Sequence, residues 1–218
     1  MGELFLDISM SLDGFIAGPN PRLDAPLGDG GERLHEWAVD LEAFRRAHGM
    51  DGGETNVDSA VIEETLENVG ASVMGRRMFS GGSGPWEDDP NADAWWGDDP
   101  PFHHPVFVLT GHARELVVKE GGTTFTFVTD GMEAALEQAR AAAGDGDIQV
   151  NGGADVAQQY LAAGLLDAMQ IHLVPVLLGG GVRLFDGPLS DPPVGLECTK
   201  TVESPTGVRH LSYSVRRP

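Results

Sequence analysis

Three short stretches hold the side chains and glycines best placed for chemistry: "VMGRRMF" at 73–79, "VLTGHAR" at 108–114 and "VNGGADV" at 150–156. Each runs from apolar, strand-like residues through a glycine-bearing turn. In the first, Gly75 precedes Arg76 and Arg77 at a helix start, where cations oppose the helix dipole by about 0.3–1 kcal/mol each. An anion seated there reverses that penalty, so both arginines are candidate phosphate contacts. The competing reading pairs them with the acids of 87–99. In the third, Gly152 and Gly153 let the chain approach a ligand closely, and the free N–H groups at a helix start can cradle a pyrophosphate. Asn-Gly-Gly is also ordinary turn chemistry. In the second, Thr110, Gly111 and His112 suit a ribose or its 2′-phosphate, or else form a capped turn. A dinucleotide would join all three.

The elements that must position these turns alternate. Residues 3–11 form a strand with Leu4, Leu6, Ile8 and Met10 on one face and Phe5, Asp7, Ser9 and Ser11 on the other. Weak helical periodicity covers 33–49. A better helix is expected over 57–70, N-capped by Asp58 and ended by Gly70. Strands follow at 71–75, 105–111, 123–131 and 147–151, with helices at 132–144 and 154–164. A strand begins at 167, and 196–217 read as a β-hairpin turned at Pro205-Thr206-Gly207. The pattern predicts an α/β fold in one domain over 1–218, with a mixed sheet and a C-terminal antiparallel hairpin. Ligands of such sheets collect at the carboxyl ends of the strands. Stretches 21–57 and 80–104 are too long for ordinary connections and read as inserts, either active-site flaps or interface elements.

Composition narrows the classes. Fourteen basic residues face 34 acids, a net charge of −20, which argues against nucleic-acid partners. No run approaches the ~18 apolar residues of a membrane span. The N-terminal stretch lacks the basic region of a secretory signal, so a cytoplasmic protein is expected. The single cysteine, Cys198, is expected to be a small packed side chain. Metal catalysis has little support, because His103 and His104 are adjacent rather than spaced i, i+4, the other five histidines are scattered, and the acidic 88–99 segment lacks EF-hand spacing. No G-x-G-x-x-G follows the first strand.

Taken together and in order, "SMSLDGFIAGPN", "VMGRRMF", "VFVLTGHAR", "FVTDG" and "VNGGADVAQQYLAAGLLDAMQIHLVPVLLGGGVRLF" resemble the dihydrofolate-reductase-like superfamily. The similarity is greatest to the branch of the reductase domain of riboflavin-biosynthesis deaminase-reductases. It implies a mostly parallel central sheet flanked by helices. It also implies an NADPH-dependent reductase that transfers hydride to a pterin- or pyrimidine-like heterocycle. The alternative is a nucleotide-binding module on the same scaffold without turnover. By this resemblance Gly75, Arg76 and Arg77 match the phosphate-binding junction, and Thr110, Gly111 and His112 the turn at the adenosine ribose. Asn151, Gly152, Gly153, Ala154, Asp155 and Val156 match the pyrophosphate turn and its helix. Ser9, Ile16, Ala17 and Gly180 flank the nicotinamide, and Asp13 and Phe15 lie toward substrate. Met78 stands where the family has a threonine. Asp58 and His172 are the candidate catalytic groups for the proton, and a homodimer is expected.

Overall fold

A computed structural model describes residues 2–186 and 193–216. Its framework is a nine-stranded sheet. The parallel strands are β1 (Leu4–Ser11), β3 (Val69–Gly75), β4 (Pro105–Leu109), β6 (Thr124–Val128), β7 (Asp147–Val150) and β8 (Ala168–Val174). Antiparallel strands close both ends: β5 (Val117–Val118) on β6, and the hairpin of β10 (Gly195–Glu203) and β11 (Arg209–Arg216) on β8. The order is β10-β11-β8-β1-β7-β3-β4-β6-β5. A two-stranded ribbon, β2 (Phe15–Ala17) with β9 (Val182–Arg183), joins the loops that leave β1 and β8.

The period-two pattern of the strands divides the core by face. Leu4, Leu6, Val73, Phe107, Ile148 and Val150 pack beneath α4 (Met132–Ala143) and α5 (Ala154–Ala162). The opposite face carries two separate clusters. Met74, Val106, Val108 and Phe125 meet Phe79 of α3 (Arg76–Ser80) and Trp86 of the acidic insert. Val174, Val176 and Val208 meet Leu34, Trp37, Ala38 and Leu41 of the other insert. Both inserts therefore cover sheet surface.

Four local expectations are corrected. The 33–49 stretch is not one helix: a 3-10 turn spans Gly31–Leu34 and α1 only Glu42–Ala47, because Leu41 bridges to Glu54 and the chain bends to lay Trp37 on the sheet. The next helix, α2, is Val57–Leu66, and Gly70 belongs to β3. Asn56, not Asp58, caps α2, accepting hydrogen bonds from the N–H groups of Asp58 (2.8 Å) and Ser59 (3.2 Å). Cys198 lies exposed on β10 rather than packed.

Candidate functional site

The three glycine-bearing turns meet at the carboxyl edge of the sheet. β3 and β7 are neighbours, and their ends are tied: Gly75 N–H donates to Gly152 C=O at 2.9 Å, and Asn151 N–H to Val73 C=O at 3.0 Å. A Cβ on Gly75 would stand 3.1 Å from Val156 Cγ2, so glycine is what lets α5 sit against β3. Gly152 has φ +101°, a left-handed conformation that side chains rarely adopt, and the Gly152–Gly153 peptide is cis. Beyond it the turn is open, for nothing lies within 4 Å of where a Cβ of Gly153 would be. The same holds at Gly111 and Gly180. The first N–H groups of α5, at Ala154 and Asp155, have no intrahelical acceptor by helix geometry. Asn151 Nδ2 is buried beside them without a hydrogen-bond partner. Open glycines, free amides and an orphaned amide donor fit an anionic, oxygen-rich group such as a pyrophosphate.

The two arginines part company. Arg76 is 6% exposed, and its guanidinium meets Asp89 Oδ2 at 2.5 Å and Ser80 Oγ, with Trp86 stacked 3.5 Å from its carbon. For Arg76 the competing reading, pairing with the acidic insert, is what the structure presents. Ser80 and the Asn91 amide also donate to Asp89, and these bonds outweigh burial and hold its carboxyl below the ordinary carboxylate value. Arg77 is 74% exposed and only 3.8 Å from Asp155, itself 82% exposed. Asp155 thus points to solvent. His112, half-buried, has its N–H on Thr110 Oγ1 (3.1 Å), and its carbonyl accepts from Trp86 Nε1 (2.9 Å). The β4 turn is therefore capped, with Gly111 open.

On the other side of the sheet centre, Asp13 closes the loop after β1 onto the loop after β8. It accepts Ser11 Oγ–H (2.6 Å) and the backbone N–H groups of Leu178 (3.2 Å) and Gly179 (2.8 Å), and the Ser11 bond chiefly lowers its pKa. Its carboxylate is committed to the backbone rather than turned to a substrate. Phe15 is buried under the Arg183 guanidinium, 4.8 Å from its ring, and Ile16 enters the core. Ala17 lies against the next loop: its carbonyl would be 2.1 Å from a Cβ at Gly181, so only glycine fits there. Ser9 is buried and accepts the indole N–H of Trp37 at 3.1 Å.

Asp58 and His172 belong to one buried chain. Asp58 is 0% exposed, with Oδ1 2.9 Å from His210 Nε2 and Oδ2 accepting from Ser204 Oγ at 2.7 Å. His210 Nδ1 is 2.6 Å from His172 Nδ1, whose Nε2 is 2.8 Å from Asp7 Oδ1. Trp37 lies over both rings, at centroid distances of 4.7 and 5.0 Å. Asp58, expected as a candidate catalytic group, is fully enclosed and presents no surface to a substrate. His210, 152 residues from Asp58, was not among the sequence candidates. Its strand alternation was the only available signal. Among the described residues no group of three His, Cys, Asp or Glu side chains converges as a metal site, and no helix is long and apolar enough to cross a membrane.

The family model of the RibD C-terminal domain matches residues 3–209. Among solved structures, a protein from Shewanella sp. PV-4 assigned to riboflavin biosynthesis superposes with a TM-score of 0.61 at 22% identity, covering 99% of both chains. The Thermotoga maritima diaminohydroxyphosphoribosylaminopyrimidine deaminase/5-amino-6-(5-phosphoribosylamino)uracil reductase gives 0.55 at 15%, over 98% of this chain and 56% of that one. Dihydrofolate reductase from Enterococcus faecalis, complexed with NADP(H), gives 0.50 at 13%, over 98% and 95%. The dihydrofolate-reductase-like fold is thereby established. No curated protein sequence matches.

Proposed function

The chain belongs to the RibD C-terminal domain family, and from that premise we propose that it is an NADPH-dependent reductase of a pyrimidine- or pterin-like heterocycle. The observation that carries this reading is the open, glycine-lined edge where the β3, β7 and β4 turns converge, with the orphaned Asn151 amide in its wall. A relative of the same fold is complexed with NADP(H), and another is a uracil-derivative reductase. When bound, a reduced nicotinamide supplies the hydride.

The residues of this chain do the rest. The amides of Ala154 and Asp155 and the Asn151 side chain hold the pyrophosphate. Arg77 is free to swing from Asp155 to a phosphate, and His112 with Thr110 lies beside the adenosine ribose. The loops pinned by Asp13 fix the nicotinamide end and exclude water. Positioning of this kind is the main demand that hydride transfer makes on a protein.

Titration calorimetry with NADPH and NADH, followed by NADPH oxidation with aminopyrimidine ribosyl and ribityl phosphates and dihydropterins, tests the reading. NADPH is expected to bind below millimolar and more tightly than NADH. No binding of either nucleotide refutes it. One observation favours the second reading, a binding module without turnover: Trp37 covers the β1 face at Ser9. Tight NADPH binding with no oxidation by any of these substrates would select it.

A further inference from the structure

A dinucleotide brings a diphosphate to a chain whose own net charge is −20, so the cofactor edge needs local positive charge. The start of α3 supplies less of it than its two arginines promise. Arg76 is committed to buried Asp89 and stacked on Trp86. Only Arg77, exposed and 3.8 Å from Asp155, remains free to move.

The strand order shows where a second cation can come from. β7, which runs into the Asn151-Gly152-Gly153 turn, lies between β3 and β1. α3 follows β3, so Arg77 stands on the β3 side of that turn. On the other side β1 is close, for a Cβ on Gly152 would be 4.0 Å from Ile8 Cδ1. Beyond β1 the chain passes through Asp13 and Gly14 into β2, which pairs with β9. Arg183 is on β9, and its guanidinium lies along this loop. Its Nη2 is 3.5 Å from where a Cβ of Gly14 would be, and its carbon is 4.8 Å from the centre of the Phe15 ring.

Helix α5 fixes the backbone under that side chain. Gln158 Nε2 donates to Leu184 C=O at 2.9 Å and to Arg183 C=O at 3.4 Å. Gln158 is four residues beyond Ala154 on the same face of α5, so it stands one turn, about 6 Å, from the free amides of the helix start. One helical turn is within the reach of an arginine side chain.

The guanidinium is also uncommitted. Arg183 is exposed, and among the described residues its guanidinium makes no ion pair and no hydrogen bond. Phe15 braces one face through a cation–π contact, which leaves the N–H donors at the rim unused. Most other described cations, Arg22, Arg46, Arg114 and Lys200 among them, lie against a carboxylate.

We propose that Arg183 is the second phosphate-binding cation of the cofactor edge, closing on the diphosphate from the β1 side as Arg77 does from the β3 side; the proposal rests on the reductase reading. Arg183 takes the place that Arg76, held by the acidic insert, leaves empty. Its planar fork suits bidentate contact with phosphate oxygens. The 2′-phosphate of NADPH belongs to the β4 turn, on the far side of β3, and is out of its reach.

Titration calorimetry with NADPH and NADH, beside thermal melts without nucleotide, tests the assignment. Arg183→Gln is expected to melt like the wild type, because the residue is exposed. It is expected to weaken NADPH and NADH by the same factor, about tenfold or more, the loss of one charge-assisted hydrogen bond. Combined with Arg77→Ala it is expected to weaken NADPH about 10²-fold, since the two contacts are independent. Should Arg183→Gln melt lower, Arg183→Lys decides: it keeps the charge and is expected to bind NADPH more tightly than the glutamine variant, and equal affinities overturn the proposal. An unchanged NADPH affinity in Arg183→Gln overturns it. So does a loss confined to NADPH, which would put Arg183 at the 2′-phosphate, and so does a double variant no weaker than Arg77→Ala alone. No binding of either nucleotide by the wild type refutes the reductase reading, and this assignment with it.

Discussion

Truncating Arg76 to alanine would strand Asp89, which is buried against it. Removing one partner of a buried pair costs about 3–5 kcal/mol, so Arg76→Ala is expected to lower the melting temperature sharply. Arg77→Ala is expected to leave melting almost unchanged, because its contact with Asp155 is long and exposed. It is expected to weaken NADPH binding about tenfold or more, the loss of one charge-assisted hydrogen bond. Calorimetry and thermal melts on the two variants check this division, and equal effects on both measurements would refute it. The sequence shows two adjacent arginines at a helix start and the acids that could claim them. Which arginine is claimed depends on how residues 80–104 fold back, and no local spacing encodes that.

Among the elements, strands with clean alternation were legible, as were the glycine turns that end them. β1 and β7 occur where the pattern of Leu4, Leu6, Ile148 and Val150 places them. The segment 33–49 was not, because Trp37 and Leu41 follow the sheet they cover rather than a helical period. The Asp58–His210 pair was invisible for a related reason: α2 and β11 meet only through tertiary packing. Strand β3 and the entry to β4 carry a further consequence. His104 hydrogen-bonds Ser72 at 2.7 Å, and burial pushes its pKa from 6.5 to about 4. A histidine kept neutral by folding stabilises fully above its unfolded value. That stability is lost as pH falls from 6.5 toward 4. The shift is worth about 3 kcal/mol. Denaturant unfolding is expected to show this acid-side slope, flattened in His104→Gln; an unchanged slope would refute it.

At the scale of the whole molecule, a net charge of −20 sets a repulsive field that salt screens. Thermal stability is expected to rise with sodium chloride, and the NADPH association rate with it. Stopped-flow traces and melts across a salt series check both; a falling rate would mean that local cations outweigh the field. Self-association into a homodimer is expected through the open β10 edge, whose residues are mostly exposed although the strand is paired with β11. Light scattering that gives a monomer mass would refute it. Asp13 adds a link of another sort. Its single carboxylate fastens the Leu178–Gly179 amides to the loop after β1, across 165 residues of sequence. Neither loop can breathe alone while that latch holds. The amide protons of Leu178 and Gly179 should therefore exchange with solvent in one correlated event, and Asp13→Ala should let the two loops fluctuate independently.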